Sequence, residues 1–150
     1  MKQVSPSHRC IAQIMNWEDL RLEAYQCPSK KWTIGYGHTG FDVHSGLVIT
    51  VQKALQWFSM DINKAESPIH FFIHNPQVHL TQGQVDALTS FIFNAGQSAF
   101  TKSPILTLIN QDKLSQVPEH LLKWDHDAEG QELWGLKLRR ELEAEWWNNG

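Results

Sequence analysis

No stretch of this sequence is apolar for long enough to span a bilayer. Residues 1–16 hold no apolar run of about seven or more, so neither a cleavable signal nor a membrane anchor is expected. Cysteine is scarce. Cys10 and Cys27 are too few for the disulfide framework of a small secreted protein and lack metal-ligand spacing, which points to synthesis in a reducing cytoplasm. Positive charge is not in excess either: a net charge of −3 and a pI near 6.2 leave no basic footprint for nucleic acid or an anionic membrane, and both are excluded as stable partners. Tandem repeats, low-complexity tracts and long linkers are absent. With 150 residues, of which 41% are hydrophobic, the chain is expected to form one domain, residues 1–150, around a core of its own.

Tryptophan, by contrast, is plentiful: the seven Trp residues suit core and rim packing first, and the walls of a cleft for ring-shaped ligands second. Ser5-Pro6 sets a capping side chain before a proline suited to a first helical turn. Ile11, Ile14, Met15 and Trp17 come after it at helical spacing, which predicts a helix over 6–17. Trp32, Ile34 and Tyr36 alternate with Thr33, Gly35 and Gly37, the period of a strand with one bulky face and one nearly bare. Bare glycine lets a ligand approach the backbone, so Gly35, Tyr36 and Gly37 are candidate substrate contacts.

Gly40 to Gly46 reads as a turn region, and Thr50 as the cap of a helix carrying Ala54, Leu55, Phe58 and Ile62. Pro68 and Asn75-Pro76 interrupt the next segment, leaving a short helix at most over 69–73. Thr81 and Gln84 form a capping box before Val85, Ala87, Leu88, Phe91, Ile92, Phe93 and Ala95, a helix apolar nearly all round and therefore central and buried, closed at Gly96. Short helices open at Ser103-Pro104 and Pro118, and a last one runs from Trp134 to Trp147. The fold class is α+β, mainly helical, with one small sheet in the N-terminal third and a cleft expected at the junction.

Glu18 falls where the first helix ends. There the negative end of the helix dipole disfavours a carboxylate anion, and Trp17, Leu20 and Leu22 add desolvation in the same direction. A carboxylic acid that stays protonated near neutral pH can serve as a general acid. A solvated helix-end glutamate is the commoner meaning of one such residue, so the decision rests on its surroundings.

Glu18, Cys27 and Thr33, with the run Trp32-Thr33-Ile34-Gly35-Tyr36-Gly37-His38-Thr39, resemble the catalytic region of phage-type lysozymes, glycoside hydrolase family 24. Further matches come in order: Ile49-Thr50 and Asp61; Gln84, Ala87, Leu88, Phe91, Asn94 and Gly96; Trp124; and Gly135-Leu136 with Arg139, Arg140 and Glu143. The resemblance implies a lysozyme-like fold, a small N-terminal sheet subdomain and a helical domain around the central helix, with the active-site cleft between. It also implies cleavage of the β-1,4 bond between N-acetylmuramic acid and N-acetylglucosamine in peptidoglycan. Glu18 would be the general acid, and Thr33 would help hold the attacking water, with inversion. No cofactor or metal is implied. An endolysin of this kind is expected to be a monomer made in the host bacterial cytoplasm and acting on the wall in the periplasm, with a holin opening the way.

The family commonly has Asp where this chain has Cys27. A thiol must ionise first, from an ordinary pKa of about 8.5. Three readings stand: Lys30 and Lys31 lower that value, or Cys27 positions water and activity climbs toward alkaline pH, or Cys27 is a buried apolar filler. Asp19 and Lys30 replace glycines common in the family, Asp19 tolerably because Asp can adopt left-handed angles. His38 and Asp61 match a structural ion pair of some members. Arg139 and Arg140 either approach the acid or are exposed helix charges pairing with Glu141 or Glu143.

His70 and His74 stand four apart without a third ligand at a known spacing, Asp125-His126-Asp127 reads as a solvated turn, and Gly35-x-Gly37 lacks the third glycine of a dinucleotide loop. Metal and nucleotide are not expected. The rival activities are a lytic transglycosylase, which needs only Glu18, and a non-catalytic wall-binding module. A disulfide between Cys10 and Cys27 would block the middle position.

Overall fold

In the computed structural model, which describes residues 4–127 and 130–150, the chain divides into two units: residues 11–63, and residues 1–10 together with 64–150. The elements in order are α1 (His8–Trp17), β1 (Arg21–Gln26), β2 (Trp32–Gly35), β3 (His38–Thr39), α2 (Val51–Phe72), α3 (Gln82–Ala95), α4 (Gln97–Lys102), α5 (Pro104–Asn110), α6 (Val117–Leu122) and α7 (Trp134–Asn149). The mainly helical α+β class expected from the sequence is what the structure has.

The unit of residues 11–63 is built on a three-stranded antiparallel sheet in the order β1-β2-β3. Tyr25 stands opposite Thr33, and Gln26 opposite Trp32; Thr33 in turn faces Thr39, and Ile34 faces His38. The outer edge of β1 is not bare. Ala24 N–H donates to Leu47 O at 2.9 Å and Ile49 N–H to Leu22 O at 2.9 Å, which ties the loop before α2 along it. The sequence reading did not anticipate β1, most of whose side chains are exposed. Against the sheet, Tyr36 packs on Phe58 of α2 with ring centroids 5.3 Å apart, and the His38 ring lies over Trp57 at 4.4 Å.

In the other unit α3 is the hub, with a run of buried residues from Val85 to Ile92. Its start is fixed by the expected capping box: Thr81 Oγ1 accepts from Gln84 N–H, and Gln84 Oε1 accepts from Thr81 N–H. Its end is fixed at Gly96, whose φ of +97° suits a residue without a side chain. Arg139, Arg140 and Glu143 of α7 are buried beside it. Arg140 Nε lies 3.2 Å from Glu143 Oε1, Ser90 Oγ donates to Glu143, and an Arg140 amino group donates to Asn94. Burial pushes the Glu143 carboxyl up despite the two guanidiniums.

Two boundaries differ from expectation. The first helix begins at His8, because Ser7 rather than Ser5 is the cap: Ser7 Oγ accepts from Cys10 N–H at 3.2 Å while donating to Asp86 at 2.6 Å. The second helix does not stop at Pro68. It begins as expected after Thr50, whose Oγ1 accepts from Lys53 N–H, but continues unbroken to Phe72. Proline removes one helical hydrogen bond there, and the burial of Ala65, Pro68 and Ile69 on one face offsets that loss.

Candidate active site

Helix α1 delivers Glu18. Its N–H donates to Ile14 O at 3.1 Å, so the residue sits on the last turn as the sequence predicts. The side chain lies over Gly37: a Cβ at position 37 would fall 2.6 Å from Glu18 Oε2, and the φ of Gly37 is +74°. The bare strand face is therefore filled at this point by the carboxyl group itself. Glu18 lines an open pocket of about 390 Å³ together with Ala12, Met15, Asn16, Asp19, Leu20 and Tyr36. Glycine at 35 serves differently. It is buried, and a Cβ there would meet Ala54 at 3.4 Å, so Gly35 is a packing position against α2 and does not offer open backbone.

The β1–β2 hairpin delivers Cys27 and Thr33. Lys30 N–H donates to Cys27 O at 2.8 Å and Cys27 N–H to Lys31 O at 2.9 Å, closing a tight turn over Pro28 and Ser29. Lys30 takes the left-handed conformation, φ +66°, whereas Asp19 is not among the residues that do. Cys27 is partly exposed, which removes the buried-filler reading. Its sulfur lies 3.0 Å from Ser29 Oγ. The thiol is lowered from its ordinary value to about 7, first by the Ser29 hydroxyl, with burial opposing it, and then by the main-chain amides of Lys31 and Ser29 and by the Thr33 hydroxyl. Of the readings left open for Cys27, a lowered thiol fits, but through hydrogen bonds and not through the Lys30 and Lys31 charges. Thr33 is buried, 4% exposed, and donates to Lys31 O at 3.1 Å.

Tyr25, which the sequence reading passed over, stands on the hairpin face that carries Thr33. Arg21 lies over its ring at 4.4 Å. Its phenol is raised by burial first and next by the charge of Glu18, with Cys27 acting in the same direction. Its place two residues before Cys27 in the sequence was the available signal.

His38 and Asp61 come together at 2.8 Å, and Asp42 approaches the other ring nitrogen at 3.3 Å. Arg139 and Arg140 are not exposed helix charges; they are 5% and 0% exposed and pair with Glu143, one of the two partners named for them. Cys10 is free and fully buried, its thiol pushed up by burial, and Cys27 is free as well. Among the described residues no cluster of three His, Cys, Asp or Glu side chains could hold a metal ion.

The phage lysozyme family model matches residues 15–143. The chain belongs to the phage lysozyme family. It is 36% identical over 140 residues to the endolysin of Acyrthosiphon pisum secondary endosymbiont phage 1, covering 91% of this chain and 93% of that one. Identity is also 36% over 135 residues to the endolysin of Bacillus phage B103, but there the match takes in 89% of this chain and only half of the relative. Among solved structures, the muramidase domain of SpmX from Asticcacaulis excentricus superposes with a TM-score of 0.81 at 32% identity, covering 97% of this chain and 98% of that one. This phage lysozyme is a glycoside hydrolase of peptidoglycan, a muramidase. Among its described residues no helix is long and apolar enough to cross a membrane.

Proposed function

We propose that this phage lysozyme cleaves the β-1,4 bond between N-acetylmuramic acid and N-acetylglucosamine by a single displacement with inversion. Glu18 is the general acid. Seated at the α1 terminus over Gly37 and on the wall of the open pocket, it gives its proton to the glycosidic oxygen as the bond breaks. Cys27 takes the place of the second carboxylate. With a thiol near 7, a large fraction is thiolate at neutral pH, able to accept a proton from water and to favour positive charge on the sugar ring. Thr33 steadies the water, and Tyr36, which lines the pocket with Glu18, contacts the glycan, while Gly37 serves as the seat of the acid.

The observation that carries this reading is the partly exposed Cys27 sulfur held 3.0 Å from the Ser29 hydroxyl, a contact that lowers the thiol, since an ordinary cysteine would be too weakly ionised to replace a carboxylate. The same reading includes action as a monomer, synthesis in the host cytoplasm and access to the wall through a holin. The test is a comparison of Glu18→Gln, Cys27→Asp and Cys27→Ala on intact wall. Near-complete loss, retained or improved activity, and a clear decrease are expected in that order. Undiminished lysis by Cys27→Ala across pH 5 to about 9 would remove sulfur from the mechanism. Anhydro-muramyl products would replace hydrolysis by transglycosylation.

A further inference from the structure

We infer that Ser29, through the hydroxyl that the hairpin turn holds 3.0 Å from Cys27 Sγ, is a positioning residue that keeps this sulfur aimed and ready to accept a proton. The inference rests on the reading of Cys27 as the proton acceptor and deepens it. It begins with the turn itself. Pro28 restricts the backbone at the second turn position, and Lys30 accepts a left-handed φ of +66° that is unfavourable for any residue with a side chain. The two main-chain hydrogen bonds, Lys30 N–H to Cys27 O and Cys27 N–H to Lys31 O, then leave residue 29 at the apex with its side chain directed back at residue 27.

Of the two hydroxyls beside the sulfur, Thr33 already donates to Lys31 O at 3.1 Å. Ser29 makes its contact with the sulfur itself, at a separation short for an oxygen–sulfur pair. A hydroxyl can donate to a thiolate more strongly than to a thiol, so this contact favours the charged form. Ser29 is exposed, and nothing in the packing of the hairpin asks for its hydroxyl. The need arises only because position 27 holds sulfur. A carboxylate there, with an ordinary pKa of about 3.9, would be ionised without help.

The experiment uses the whole chain in four forms: unaltered, Ser29→Ala, Ser29→Thr, and Ser29→Ala combined with Cys27→Asp. Alkylation by iodoacetamide against pH reads the ionisation of Cys27 directly, because Cys10 is fully buried. Lysis against pH is read in parallel. Ser29→Ala is expected to raise the alkylation midpoint by about one pH unit and to move the rising limb of activity with it, while Ser29→Thr keeps both in place. In the Cys27→Asp background the loss of Ser29 is expected to leave activity within about two-fold. An alkylation midpoint that does not move in Ser29→Ala overturns the inference and leaves the reading of Cys27 intact. A midpoint that rises while the activity profile stays fixed overturns both. Equal losses from Ser29→Ala in the Cys and Asp backgrounds would show a role in the turn alone and also overturn it.

Discussion

Replacing Gly37 by alanine probes the seat of the acid, and Gly46 supplies the control. Both glycines are left-handed, φ +74° and +84°, but a Cβ at 46 meets nothing within 4 Å while one at 37 falls 2.6 Å from Glu18 Oε2 and 3.0 Å from Cδ. Left-handed strain costs about 1–2 kcal/mol for a residue with a Cβ, and loss of glycine's freedom in the unfolded chain returns about 0.5–1 kcal/mol. Each variant should therefore lose roughly 1 kcal/mol. The clash at 37 is with the end of a rotatable side chain, so it adds little to that loss; the carboxyl instead retreats by about 0.8 Å to reach ordinary contact at 3.4 Å. A displacement of that size at a reacting group costs on the order of 10–100-fold in rate. Thermal unfolding and clearance of a wall suspension, run on both variants, separate the effects. Similar stability losses with activity lost only in Gly37→Ala are expected. Full activity in Gly37→Ala, or equal activity losses in the two variants, would refute the placement of Glu18 as the acid seated on Gly37.

If Cys27 is the proton acceptor proposed above, its thiol, lowered to about 7, sets the pH dependence. Activity should rise through about pH 7, and Cys27→Asp should move that limb into the carboxylate range near pH 4, read by initial rates. For stability the sign is that of a depressed group: the contribution is present above the unfolded-state value and is lost as pH falls through about 7, so thermal midpoints relative to Cys27→Ala should decline over that interval. Lys30→Gly relieves the left-handed strain at φ +66° and is expected to stabilise by about 0.5–1 kcal/mol in urea titrations, with lysis unchanged. Glu143→Ala leaves Arg139 and Arg140 buried without their carboxylate and should cost about 3–5 kcal/mol, measured the same way.

Much of the fold was legible where local chemistry fixes an element by itself. Thr81 and Gln84 announce α3 because both halves of the capping box lie within four residues, and Gly96 ends it where a positive φ is needed. Pro68 misled because its missing donor is a local fact, while the burial that carries α2 past it comes from the rest of the chain. Strand β1 escaped notice because its side chains are mostly exposed and show no clean alternation of burial. At the site, the order Glu18, Cys27, Thr33 was readable as a motif, but the seat of Glu18 on Gly37 joins residues nineteen apart and shows only in three dimensions. The Ser29 contact behind the Cys27 shift is not legible in the sequence for a related reason. Neighbouring lysines are visible in a sequence, whereas a serine hydroxyl turned onto sulfur is a property of the turn.

The most direct measurement is mass spectrometry of muropeptides released in water enriched in oxygen-18. Attack by water with Glu18 as acid puts one heavy oxygen on the new muramic acid reducing end, and Glu18→Gln should release almost none of that product. Anhydro-muramyl ends without the label, or labelled product released by Glu18→Gln at the unaltered rate, would contradict the account.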